Sequence, residues 1–164
     1  MTKKAHGSPT PAVAALDDLG IDYRLHEYHH DPTSELGFGL EGAEKLGVAA
    51  QRVFKTLMVM VDSTLCTAVV PSSGMLNLKA MADAVHGKKA DLAHPDQAQR
   101  ATGYIVGGIS PLGQKRRHRT VLDESALEHD TILVSGGRRG LSVELRPEDL
   151  IKATNATLAR LGRA

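Results

Sequence analysis

The chain has one cysteine, Cys66, so no internal disulfide can brace it, and that sparing use agrees with a reducing compartment. No apolar run approaches the ~20 residues that a membrane span requires. Cytoplasm is therefore the expected location, with no membrane among the expected partners. Net charge is also nearly absent: +1 over 164 residues gives no global drive toward nucleic acid. The opening segment, Met1 to Pro9, carries charge but leads into no long apolar core and no small-residue cleavage site. It is expected to be a flexible arm rather than a secretory leader, and without a leader the sequon Asn155-Ala156-Thr157 carries no meaning. What is present is ordinary for a globular protein, 41% hydrophobic and 24% charged. A chain of this length buries about two thirds of its unfolded surface without help from metal or disulfide, which predicts one domain over residues 10–164.

The punctuation is clear in the first half. Pro11 near a first turn and Gly20 just past an end predict a helix between them, and the alternation of Ile21, Tyr23 and Leu25 predicts a half-buried strand to Tyr28. A glycine-rich loop through Phe38, a helix from Glu41 to Leu46 stopped at Gly47, and an apolar strand from Val53 to Val61 follow. Leu65 to Val70, ended by Pro71, pairs with that strand as a hairpin. Asn77 is expected to cap a helix from Leu78 to Val85, and Pro95 to open another that ends near Gly103. Tyr104–Val106, Thr120–Asp123, Thr131–Ser135 and Leu141–Leu145 are strand candidates, and Pro147 is expected to open a last helix running to Leu161. Strands and helices do not alternate regularly. The prediction is an α+β domain, a mixed, mainly antiparallel curved sheet packed with several short helices.

Three segments carry chemistry. Gly103 to Lys115 contains four glycines, Ser110 and Pro111 between an apolar run and the basic cluster Lys115-Arg116-Arg117-His118-Arg119. Such a loop brings bare N–H groups close to a carbonyl or phosphate. Its glycine spacing is neither a dinucleotide fingerprint nor a Walker loop, so no nucleotide cofactor is implied. Val53 to Val59 places Lys55 on the strand face of Val53, Leu57 and Val59, where an ammonium either snorkels to water or stands at the mouth of a cavity. Adjacent Thr56 faces the other way in an ideal strand. Val134 to Leu141 holds the third segment, Gly136-Gly137-Arg138-Arg139-Gly140, whose guanidinium forks suit phosphate or simply project from an exposed turn. Other candidates are weaker. Ser110 lacks a Gly-x-Ser-x-Gly setting, Cys66 reads as a packed small hydrophobe, and His26, His29, His30 and Asp31 fit no closed metal spacing. No metal is expected.

Together these blocks resemble the YbaK/EbsC family of aminoacyl-tRNA deacylases, over nearly the whole chain. The resemblance implies a fold of the type associated with prolyl-tRNA synthetase, acting in trans on mischarged tRNA, with Cys-tRNA(Pro) the favoured substrate and no cofactor. It implies that Lys55 and the backbone of Gly107, Gly108, Ile109 and Ser110 meet the ester carbonyl and terminal ribose. Tyr28 and Thr56 would shape the amino-acid site, and Lys115, Arg116 and Arg138 would meet tRNA phosphates. It also implies cleavage by the substrate's own thiol, releasing a thiolactone. Ser142 departs from the pattern, since close family members often carry aspartate there. A noncatalytic module docking on tRNA or prolyl-tRNA synthetase, and a deacylase for alanine or another small residue, are the competing readings.

Overall fold

The computed structural model describes residues 9–29 and 38–163. The expected N-terminal arm and most of the glycine-rich loop before Phe38 fall outside them. Helix α1 (Pro11–Leu19) starts where Thr10 Oγ1 accepts the Val13 N–H at 3.2 Å, and it ends at Gly20, whose φ of 67° is left-handed. Strand β1 (Arg24–Glu27) is shorter than predicted, with Ile21 and Tyr23 buried just ahead of it. Helix α2 (Phe38–Leu46) begins a turn earlier than expected. A 3-10 turn over Ala50–Arg52 leads into β2 (Phe54–Val61), which pairs antiparallel with β3 (Thr64–Pro71). After a short β4 (Met75–Leu76), the Asn77 side chain accepts the Ala80 N–H and caps α3 (Leu78–Ala84), as predicted.

The next strand, β5 (Ala90–Leu92), was not anticipated; it lies antiparallel along the far side of β2. Helix α4 (Pro95–Thr102) ends at left-handed Gly103. The expected strand Tyr104–Val106 does not form. Tyr104 is instead buried, its hydroxyl donating to the Leu112 carbonyl at 2.7 Å, while Ile105 and Val106 turn outward. Three apolar residues beside a left-handed glycine have no partner strand, and the buried tyrosine takes them as a turn. Strands β6 (Arg119–Asp123), β7 (Ile132–Ser135) and β8 (Leu141–Leu145) match their predictions closely.

Helix α5 (Pro147–Thr154) stops well short of Leu161, because Asn155 adopts φ 57° and terminates it. The chain then extends as β9 (Thr157–Ala159) and β10 (Gly162–Arg163). Asp123 fixes that course: its carboxylate accepts the N–H groups of Leu161 and Gly162 at 2.7 and 2.8 Å. Apolar spacing alone cannot foresee a carboxylate that captures two extended-chain amides.

These strands form a mixed sheet in the order β5-β2-β3-β6-β9, an antiparallel sheet β1-β8-β7, and a β4-β10 pair. The larger sheet is sandwiched. Met58, Val69 and Leu122 on one face pack with Leu16, Val143 and Leu150, while Val59, Cys66 and Val121 on the other pack with Met81, Ala82 and Leu161. Cys66 is buried, and burial pushes its thiol pKa upward, the state of a packed hydrophobe rather than an activated nucleophile. Among the described residues no helix is long and apolar enough to cross a membrane.

Candidate active site beside an open strand edge

Strand β2 is paired unequally along its length. The Ser72 N–H donates to the Val53 carbonyl at 2.7 Å on the β3 side, and the Ala93 N–H donates to the Met58 carbonyl at 2.9 Å on the β5 side. Backbone groups alternate in direction along a strand, so the N–H and C=O of Thr56 point to the β5 side. There β5 has already ended, because it pairs only with Val59, Met60 and Val61. On the same side Val53 touches β7 through a single bridge to Leu133. Between β5 and β7 a stretch of β2 edge is left open, and a cavity of about 400 Å³ occupies the gap. That volume suits a small ligand.

This placement answers a conflict in the sequence. Lys55 and Thr56 lie on opposite faces of the pleat, yet both line the cavity, which wraps the strand's edge. The Lys55 Nζ donates to the Gly74 carbonyl at 2.9 Å, which pins the ammonium over the turn after β3. Among the described residues no carboxylate pairs with it, and burial lowers its pKa from the usual lysine value. Among the described residues that line it, the charged side chains are Lys55 and Arg138, so this part of the wall is cationic and otherwise mostly apolar. Arg138 stands half-exposed at the rim, 3.5 Å from Glu27.

The glycine loop reaches the cavity, with a division of labour that the sequence did not reveal. Gly107, at φ 93°, and Ile109 line it, and no hydrogen bond among the described residues uses their N–H groups. The Gly108 N–H is already spent on the Ile105 carbonyl at 2.8 Å. Gly108 serves another purpose: a Cβ there would come within 2.8–2.9 Å of the Arg138 and Arg139 backbone. The two glycine loops therefore pack backbone to backbone, and the Arg139 Nε ties them by donating to the Val106 carbonyl. Ser110 is fully buried away from the lining, its hydroxyl accepting the Leu112 N–H and its carbonyl accepting from Gln114. A nucleophilic role for its side chain has no geometric basis.

Tyr28 lines the opposite wall, its N–H bonded to the Gly140 carbonyl and its ring against Gly42 of α2. Burial, with the charge of Glu41, raises its phenol pKa, so the hydroxyl stays protonated. Ser142, buried in β8 between His26 and Ser135, also reaches the cavity. The basic run does not. Lys115 and Arg116 are strapped to the end of α4 by bonds from their N–H groups to Thr102 and Ala101, and Arg116 borders a separate cavity of about 220 Å³ with Arg117 and His118. His26, considered as a metal ligand, bonds Glu144 at 2.8 Å, and no cluster of metal-binding side chains occurs among the described residues.

Two polar groups in the lining are unsatisfied. Thr56 Oγ1 and Ser72 Oγ are shielded from solvent and have no hydrogen-bond partner among the described residues. Leaving a buried hydroxyl unpaired costs about 1–3 kcal/mol, a penalty folded proteins rarely carry without cause. Thr56 was singled out in the sequence. Ser72 was not, because a serine following Pro71 reads as the end of a hairpin.

Comparison with known proteins agrees with this geometry. A family model described as an aminoacyl-tRNA editing domain matches residues 40–153. A protein of Enterococcus faecalis named for Cys-tRNA(Pro)/Cys-tRNA(Cys) deacylation, EbsC, is 36% identical over 98% of both chains. The multifunctional Ser/Thr-tRNA deacylase ProXp-y of Escherichia coli is 25% identical over 99% of both. A proline--tRNA ligase of Anaeromyxobacter matches 70% of this chain at 29% identity, although the match spans only 20% of the ligase. A solved structure described as a trans-editing enzyme for prolyl-tRNA synthetase shares the fold, with a TM-score of 0.80 at 23% identity over 94% of this chain and 96% of that one. An α+β domain with a cationic, glycine-walled cavity at an open strand edge, matched along most of its length, thus belongs to the aminoacyl-tRNA editing domain family of the YbaK type, whose chemistry is deacylation of aminoacyl-tRNA.

Proposed function

We propose that this protein acts in trans, in the cytoplasm, to clear mischarged tRNA, with Cys-tRNA(Pro) as preferred substrate and the substrate's thiol as nucleophile. The observation that carries the mechanism is the lining itself: among the described residues it offers cations and free N–H donors, yet no carboxylate and no nucleophile paired with a base. Such a site stabilises negative charge without activating a water. In the proposed reaction the cysteine thiolate attacks its own ester carbonyl and a C–S bond forms. The oxyanion is held by the N–H groups of Gly107 and Ile109. Collapse breaks the C–O bond to the terminal ribose, whose oxygen takes up a proton, and a four-membered thiolactone leaves. The ammonium of Lys55 supports the developing charge on the ester. Holding thiol and carbonyl in contact contributes up to about 7–11 kcal/mol toward the barrier at the favourable limit, so chemistry without an enzyme base is affordable.

Small side chains are confused by synthetase pockets because each methylene discriminates only ~10- to 200-fold, which is why a second sieve is useful. In this reading Arg138 meets a phosphate of the acceptor end, a role that its half-exposed guanidinium supports. The matches within proline--tRNA ligases support a prolyl-tRNA synthetase as the protein that presents the substrate.

The test is deacylation of cysteinyl-, S-methylcysteinyl- and alanyl-tRNA(Pro), with and without the synthetase, and mass spectrometry of the product. Rapid release of thiolactone from the cysteinyl ester alone is expected. Equal cleavage of the S-methylated ester to free amino acid would replace cyclisation with water attack. Cleavage of none would favour a binding module.

A further inference from the structure

We infer that Ser72 is a specificity-determining residue, its hydroxyl together with that of Thr56 reading a hydrogen-bonding heteroatom on the β-carbon of the bound amino acid. The inference rests on the deacylase reading, and it widens the substrate class from cysteine to β-hydroxy and β-thiol residues. Ser72 is 7% exposed, and it lies one step past β3, where its backbone bonds Val53. It therefore shares the pleat face of Lys55, while Thr56 approaches the same cavity from the other face of the β2 edge. Two unsatisfied hydroxyls thus flank one space from two directions.

Their depth selects the part of the substrate they meet. Lys55 and Gly107 are partly exposed, as a group that meets the bulky ribose must be, whereas the hydroxyl oxygens of Thr56 and Ser72 are shielded from solvent. The cavity that these hydroxyls border is also lined by the buried apolar residues Val53, Phe54, Met58, Val134 and Leu141, a setting that suits the small side-chain end. An apolar wall alone would accept an ethyl group as readily as a hydroxymethyl or thiomethyl group. A wall with an unpaired hydroxyl favours the latter, since only they satisfy it. No hydrogen bond among the described residues holds the Ser72 hydroxyl away from the space, so a turn about χ1 that aims it inward breaks none of them.

The test uses adenosine carrying seryl or 2-aminobutyryl groups in non-cleavable 3′-amide linkage, titrated into the wild-type protein, Ser72→Ala and Ser72→Thr. Turnover of the matching tRNA esters and of the cysteinyl ester is measured in parallel. The wild type is expected to favour the seryl over the 2-aminobutyryl analogue by about tenfold, the worth of one hydrogen bond. Ser72→Ala should bring the two to near parity, chiefly by weakening the seryl analogue, and Ser72→Thr should retain the preference. Equal losses for both analogues, or no change in either, would overturn the inference. Preferential seryl binding that depends on Ser72, without cleavage of any ester, would sustain the recognition and reject the deacylase reading.

Discussion

The two halves of β2 show how one strand serves as core and as site. From Val59 to Val61 it has β3 on one edge and β5 on the other, and Val59 and Val61 are buried. From Lys55 to Leu57 only the β3 edge is paired, and every residue lines the cavity. Apart from Lys55 and Thr56, the amino acids differ little in apolar character. What differs is the neighbour: β5 supplies three residues and stops, so the same ladder that satisfies Met60 leaves Thr56 open.

The sharpest way to break that comparison is a pair of substitutions. Lys55→Ala in the open half should lower kcat/KM by about 100-fold or more while leaving the melting temperature nearly unchanged, since the charge it removes is already partly exposed. Val59→Ala in the paired half should do the reverse, losing about 1–3 kcal/mol of stability by denaturant titration with turnover per folded molecule preserved. Comparable activity losses in both would show that the halves are not separable.

A second contrast concerns glycines. Gly108→Ala must push the Arg138 backbone away, so a loss of about 10- to 100-fold in activity is expected as the loop donors move off target. Gly20→Ala meets no atom within 4 Å and pays only for its left-handed φ, about 1 kcal/mol of stability, with activity intact.

Acid and alkaline limbs should report different regions. Burial pushes the Glu144 carboxyl up, but hydrogen bonds from Thr131 and His26, with the charges of His26 and Arg52, outweigh it and hold its pKa below the usual value. Its contribution to stability is complete above the unfolded pKa of about 4.3 and is lost as pH falls through the folded value. Glu144→Gln should flatten the acid limb of a melting-temperature profile. Lys55 has the opposite consequence. Its lowered pKa means that folding with a charged ammonium is penalised at low pH and relieved as pH rises, while activity that needs the ammonium declines at a pH below the ordinary lysine range. A rate profile with no alkaline fall would remove the charge from the mechanism.

The smallest effect should come from the basic run outside the cavity. Lys115→Glu with Arg116→Glu is expected to weaken tRNA use a few-fold at low salt, with the difference fading as ionic strength rises.

The local chemistry of the chain was legible in advance. Pro11, Asn77, Gly20 and Gly103 set helix ends through fixed φ, side-chain acceptors and tolerance of left-handed backbone, all properties of single residues. The pairing of Lys55 with a glycine loop was legible only as a resemblance. Other features required distant groups to meet. Tyr104 abandons a strand because Leu112 takes its hydroxyl, and the last helix yields to β9 and β10 because Asp123 holds Leu161 and Gly162.

The sequence by itself determined the composition of the site: a lysine beside a threonine, donors on a glycine loop, a tyrosine and an arginine within four separate segments. Tertiary structure alone decided which of them share a space. It placed Lys55 and Thr56 in one cavity despite their opposite faces, turned Ser110 and the Gly108 N–H away, moved Lys115 and Arg116 elsewhere, and brought in Ser72. The physical reason is that residue type fixes what a group can donate or accept, whereas an unpaired strand edge exists only through the strand that fails to cover it.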